Sequence, residues 1–135
     1  PVLKPKKKTP HYVDVAAVIV KGKKVLLNQR PADGLLGGMW EFPNARINSL
    51  AEDGGVSGRE LVKSLKAATK IQVKKKEAMG FIHHVYTHFK VTVHVYECDM
   101  ISIPKNKKLR WVKIAELENY PMGKIDRAIT LKIKL

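Results

Sequence analysis

From Tyr12 to Val20 the chain is apolar except for Asp14, and it is rich in β-branched side chains. A run of that length without helical periodicity predicts a central strand buried on both faces. Lys21-Gly22-Lys23-Lys24 reads as a hairpin turn, and Val25 to Arg30 as the returning strand. Pro31 to Gly38 is a loop, with Gly34, Gly37 and Gly38 allowing close backbone approach. Trp40 to Phe42 is a short strand closed by Pro43, and residues 44–56 are a polar connector.

The periodicity then changes. Ser57-Gly58-Arg59-Glu60 has the spacing of a capping box. Leu61, Leu65 and Ala68 recur on one face, flanked by Val62 and Thr69, which predicts a helix of about three turns. Ile71 to Tyr86 holds strand material, with Lys74-Lys75-Lys76 as an exposed edge or a turn. Val91, Val93 and Val95 alternate with Thr92, His94 and Tyr96, the pattern of a half-buried strand. Residues 103–108 form a basic loop and Leu109 to Lys113 a last strand. Ile114 to Asn119 is a helical turn ending near Pro121. Lys124 to about Leu131 closes the chain as a helix, with Ile125, Ala128 and Ile129 inward. The elements predict an α+β fold, a mixed β-sheet sandwich with one long helix and a C-terminal helix. Residues 1–11 read as a basic linker and 12–135 as a single domain.

Charge adds a partner class. The chain has 135 residues, 26 basic against 12 acidic, and a net charge of +14. Such an excess favours a polyanion: nucleic acid first, an anionic membrane surface second. Pro1, Pro5 and Pro10 with Lys4, Lys6, Lys7 and Lys8 describe an extended tether that either follows phosphates or stays solvated. The same alternative applies to Arg59, Lys63, Lys66 and Lys70, which recur at helical spacing. No apolar run reaches the roughly 18 residues of a membrane span. Cys98 is the single cysteine, so no intrachain disulfide forms. It reads as a small core residue in a reducing, intracellular protein. The start at Pro1 rather than Met reads as a piece of a longer chain.

Chemistry enters at Gly34 to Pro43, where a glycine-rich loop runs into Trp40-Glu41-Phe42-Pro43. This stretch resembles the segment leading into the motif of Nudix hydrolases. The active motif carries Arg-Glu-apolar-x-Glu-Glu-x-Gly on its helix, with glutamates that hold a divalent metal. Aligning the apolar positions sets Lys63, Ser64, Leu65, Lys66, Ala67 and Ala68 over it, without the carboxylates. A second register fits Arg59-Glu60-Leu61 and then fails at Lys63 and Ser64. One glutamate does not satisfy a hard cation that takes several oxygen ligands. Glu60 is better explained as the capping-box partner, and neither a metal site nor a catalytic residue is expected in this chain. His83, His84, His88 and His94 lack zinc spacing. Glu41 is a lone carboxylate without a catalytic role, while Trp40, Phe42 and Trp111 read as core.

Four features narrow the resemblance: Leu35 to Pro43, the His-Val-Tyr-Thr-His run at His84 to His88, Arg110-Trp111-Val112, and Leu117 followed by Tyr120-Pro121. Together, from about Tyr12 onward, they resemble the C-terminal, Nudix-like domain of MutY-type adenine DNA glycosylases. The resemblance implies a non-hydrolytic domain that recognises 8-oxoguanine opposite the adenine to be removed. It implies double-stranded DNA as partner, and a catalytic N-terminal domain of the same chain carrying the iron–sulfur cluster. No cofactor is implied for this domain. Tyr86-Thr87-His88 stands where that family commonly has Phe-Ser-His, in the loop that meets the lesion. Oxidation at C8 turns N7 of guanine into an N–H donor and adds a carbonyl, and a hydroxyl answers both changes. Thr87 keeps that hydroxyl and Tyr86 an aromatic ring. Arg30 and Lys90 are the expected phosphate contacts, with His88 as a further one. The alternative is an active Nudix-type pyrophosphohydrolase acting on 8-oxo-dGTP or a similar nucleotide.

Overall fold

The structure is a computed structural model, and it describes residues 9–133. Lys4 and Lys6 to Lys8 of the expected tether therefore lie outside the described residues. The strands are β1 (His11–Lys21), β2 (Lys24–Gln29), β3 (Trp40–Glu41), β4 (Asn44–Arg46), β5 (Gln72–Val85), β6 (Lys90–Ser102) and β7 (Leu109–Lys113). Helix α1 spans Gly58–Thr69 and α2 spans Lys124–Thr130, with a 3-10 helix at Ile114–Asn119 between β7 and α2.

The strands form a mixed sheet in the order β3-β2-β1-β6-β5, with β4 on β1 and β7 on β2. The run at Tyr12–Val20 is the centre of this sheet: β1 pairs in parallel with β6 and antiparallel with β2 and β4. Side chains alternate along β1, so it feeds two cores. Val15, Ala17 and Ile19 join Leu61, Leu65, Ile71 and Tyr96 under α1. Ala16 and Val18 join Phe42, Val93, Val95 and Ile129 under α2. Two helical layers around one sheet make the α+β sandwich expected from the sequence.

Local chemistry fixes the elements. Gly22 takes φ +61° in the β1–β2 turn, a conformation that a side chain disfavours. Ser57 caps α1, its hydroxyl accepting the Glu60 backbone N–H at 3.1 Å. Only this half of the capping box forms, because the Glu60 carboxylate turns along the helix and accepts the Ser64 hydroxyl at 3.0 Å. Val56, just ahead of the cap, gives its N–H to the Tyr96 hydroxyl at 2.9 Å, and Lys75 Nζ donates to its carbonyl at 3.1 Å.

Three expectations need correction. The connector 44–56 contains β4, which the polar composition concealed; β4 is only three residues long, and Ala45 alone is buried in it. Ala68 is exposed, because Ile71 and Val73 of the following segment fill the core beside Leu65. Of the two readings of Lys74-Lys75-Lys76 the exposed edge holds: it lies inside β5, the edge strand, whose register against β6 shifts between Lys75 and Ala78. His11 is the first residue of β1 rather than the last of the linker. Among the described residues, no helix is long and apolar enough to cross a membrane.

Candidate nucleic-acid interface

Strands β5 and β6 run antiparallel to a tight turn at Tyr86-Thr87-His88-Phe89. The Tyr86 N–H donates to the Phe89 carbonyl at 2.8 Å and closes it. The two rings stack at 4.6 Å, and His84 meets Tyr86 edge-on at 4.3 Å. One face of Tyr86 is thus occupied by Phe89, a residue with no motif signal of its own. This stack stiffens the tip and leaves Thr87 and His88 exposed beyond it. Lys90 follows at the start of β6, exposed, with its N–H on the Pro10 carbonyl at 2.8 Å. Tyr86, Thr87, His88 and Lys90 are therefore contiguous, and residues 9–10 run beside them.

Arg30 stands apart from this group. Its guanidinium donates to Glu41 Oε1 at 2.7 Å and to the Leu35 carbonyl at 2.7 Å. It braces the glycine-rich loop against β3. Glu41 is correspondingly not a lone carboxylate, since Asn28 also donates to it at 3.1 Å. Gly37 fits this loop because a Cβ there would lie 2.2 Å from the Ala32 carbonyl oxygen.

Arg30 and Tyr86 share the rim of a cavity of about 210 Å³ beneath α2, also lined by Asp14, Glu41, Phe89 and Asp126. Asp126 Oδ1 accepts the Phe42 N–H at 3.0 Å. Burial pushes its carboxyl up to about 7, against the opposing pull of that hydrogen bond. Burial likewise raises the Tyr86 phenol, so it stays a neutral hydrogen-bonding group. Asp14 is raised by burial although Arg46 pairs with it at 3.2 Å. Asp126 carried a weak signal in the sequence, an acid in the first turn of an apolar-faced helix.

The metal question turns on α1. Lys70 ends this helix with φ +64°, the left-handed conformation that the glycine of the hydrolase motif would adopt. This supports the register that sets Ser64, Ala67 and Ala68 at the glutamate positions. Among the described residues, no group of three or more His, Cys, Asp or Glu side chains is placed to hold a metal. His94 is half-buried against Phe81, and burial holds its pKa low. Cys98 is buried, its thiol pushed up to about 12 by burial.

Comparison with known proteins agrees with this architecture. Residues 15–132 match the family model described as NUDIX domain. Adenine DNA glycosylase of Schizosaccharomyces pombe is 26% identical over 106 residues, covering 76% of this chain and 23% of the relative. That of Rattus norvegicus is 31% identical over 103 residues, covering 73% and 19%. The chain spans about a fifth of the length of these curated relatives. Among solved structures, a MutT NUDIX hydrolase from Burkholderia pseudomallei superposes with a TM-score of 0.75 at 16% identity, covering 92% of this chain and 98% of that one. The C-terminal domain of mouse MUTYH, solved in complex with human PCNA, superposes at 0.64 with 22% identity, covering 90% and 86%. These likenesses share the sandwich of sheet and helices described above, and the match spans β1 through α2: this chain belongs to the NUDIX domain family.

Proposed function

We propose that this chain is the lesion-recognition domain of an adenine DNA glycosylase, reading 8-oxoguanine in duplex DNA opposite the adenine to be removed. The observation that carries the reading is the β5–β6 tip. A stacked Tyr86–Phe89 pair holds Thr87 outward as an exposed hydroxyl, with Lys90 next to it for a phosphate. The hydroxyl accepts from the N7–H of the oxidised base, a donor that plain guanine lacks. Lys90 positions the duplex without reading it. The similarity to adenine DNA glycosylases over about three quarters of the chain supports this choice of substrate. The catalytic carboxylates and the iron–sulfur cluster of the parent enzyme belong, in this reading, to the part of the relatives that this chain does not span.

The test is Thr87→Ala in the parent enzyme. Loss of one hydrogen bond, about 1 kcal/mol, lowers the preference for 8-oxoguanine over guanine by about fivefold. An unchanged ratio removes Thr87 from the site. The hydrolase alternative rests on the shared fold, and against it stand Ser64, Ala67 and Ala68 at the glutamate positions. Turnover of nucleoside triphosphates with magnesium above background would overturn the recognition reading.

A further inference from the structure

On the face of the sheet opposite the cavity, three strands bring three polar side chains together just behind the tip. His11 of β1 and His83 of β5 both aim a ring nitrogen at Thr92 of β6. His11 Nε2 and His83 Nδ1 each lie 2.8 Å from Thr92 Oγ1. The two rings meet edge-on at 5.3 Å. In register, His11 pairs with Lys90, and Lys90 pairs with Val85, the last residue of β5 before the tip. Both histidines are exposed.

The hydroxyl imposes a proton count. Thr92 has one hydrogen to give and two lone pairs, so at most one imidazole accepts from it and at least one donates to it. The imidazole that accepts carries its N–H on the outward nitrogen. The imidazole that donates has, when neutral, a bare outward nitrogen. An anion touching both rings offers only acceptors, so a donating ring must take up a proton before it can bind. The titratable groups nearest this site in the strand register are His11 from β1, His83 from β5, and Lys90 and His94 from β6, with Tyr96 and Cys98 farther along the same face. Among the described residues, neither ring is paired with a carboxylate.

We propose that His11, Thr92 and His83, with Lys90, form a binding site for a backbone phosphate of duplex DNA, and that filling it is coupled to uptake of at least one proton. The proposal rests on the nucleic-acid reading above and adds a contact that grips the backbone without reading the base. Lys90 supplies the permanent charge, and the imidazole pair supplies the switchable one.

The experiment measures Kd of this chain, by fluorescence anisotropy, for a labelled duplex containing one 8-oxoguanine:adenine pair and for the same duplex with guanine, from pH 5.5 to 8.5. Wild type should weaken with rising pH, approaching at least tenfold per pH unit at the alkaline end, equally on both duplexes. His11→Gln and His83→Asn, which keep the reach of the bonded nitrogens, should flatten that slope. Thr92→Val should flatten it with both histidines present, because each neutral ring is then free to turn an N–H outward. A slope unchanged in all three variants overturns the proposal, as does an absence of measurable DNA binding. Should a variant fail to fold, imidazole 15N signals of the wild type at pH 7.5 decide: DNA must convert at least one ring to the doubly protonated form. The same conversion with inorganic phosphate alone, and none with DNA, would mark a free-anion site and overturn the assignment to DNA. Loss of discrimination between the two duplexes with the pH slope intact would count against lesion reading and leave this site standing.

Discussion

Asp126 gives the sharpest test of how burial sets charge in this domain. Its carboxyl sits under α2, beside Glu41 and held by the Phe42 N–H. Burial raises its pKa from 3.8 to about 7. A carboxyl raised in the folded state binds its proton more tightly there than in the unfolded chain. Between these two values the folded protein therefore holds more protons, and stability falls as pH rises. The loss is complete above about 7 and absent below about 4. At about 1.4 kcal/mol per pH unit, the ceiling is about 4 kcal/mol. The residue as a whole remains half-buried, so water screens part of this, and about 2 kcal/mol is the working figure. Asp126→Asn keeps an oxygen for the Phe42 N–H and removes the ionisation. At pH 8 the variant should be more stable than wild type by that amount, or about 8 °C in melting temperature for a domain of this size. At pH 4 the two should coincide. Thermal melts by circular dichroism at pH 4, 6 and 8 read this directly. A variant that is equally destabilised at all three values would show that Asp126 contributes as an anion, and that the burial argument is wrong.

Two further outcomes separate the roles of the charges. Replacing Lys4 and Lys6 to Lys8 with neutral residues should weaken DNA binding on all sequences alike and reduce the salt slope, by about one unit for each phosphate no longer neutralised. An unaltered slope makes the segment a plain tether. Placing glutamate at Ser64, Ala67 and Ala68 should create magnesium affinity measurable by calorimetry, and no gain would refute the register set by Lys70.

The sequence made the frame legible where one signal dominated. The apolar run at Tyr12–Val20 could only be a buried strand, and Ser57 before an apolar 3.6-residue period could only begin a helix. It failed where tertiary contacts decide. β4 has one buried residue, Ala45, and no pattern can form over three positions. The contacts of Glu41 with Arg30 and Asn28 were hidden because these residues lie 11 and 13 positions away. For the same reason the bracing of Arg30 by Glu41 and the Leu35 carbonyl was not legible. The tip residues were legible as a motif, but the Tyr86–Phe89 stack and the His11–Thr92–His83 convergence are products of strand register. His11 and Thr92 stand 81 positions apart, and no local signal in the chain joins them.

The state of α1 links fold to chemistry. The helix keeps what packing requires of the family motif: Leu61 and Leu65 fully buried, a serine cap, and a left-handed residue at its end. That last position is held by Lys70, for which φ +64° costs about 1 kcal/mol relative to glycine. This turn serves the fold. It delivers Ile71 and Val73 into the core beneath the helix, and with them β5, which runs on to Val85 and the tip. The same geometry that positions carboxylates in a hydrolase thus aims the edge hairpin here. Exposed lysines now line the outer face of this helix at Lys63, Lys66 and Lys70. With Ser64, Ala67 and Ala68 uncharged and the lysines beside them, the field over this face is positive. If DNA reaches this helix, its lysines add a non-specific attraction; if it does not, they are a solvated face.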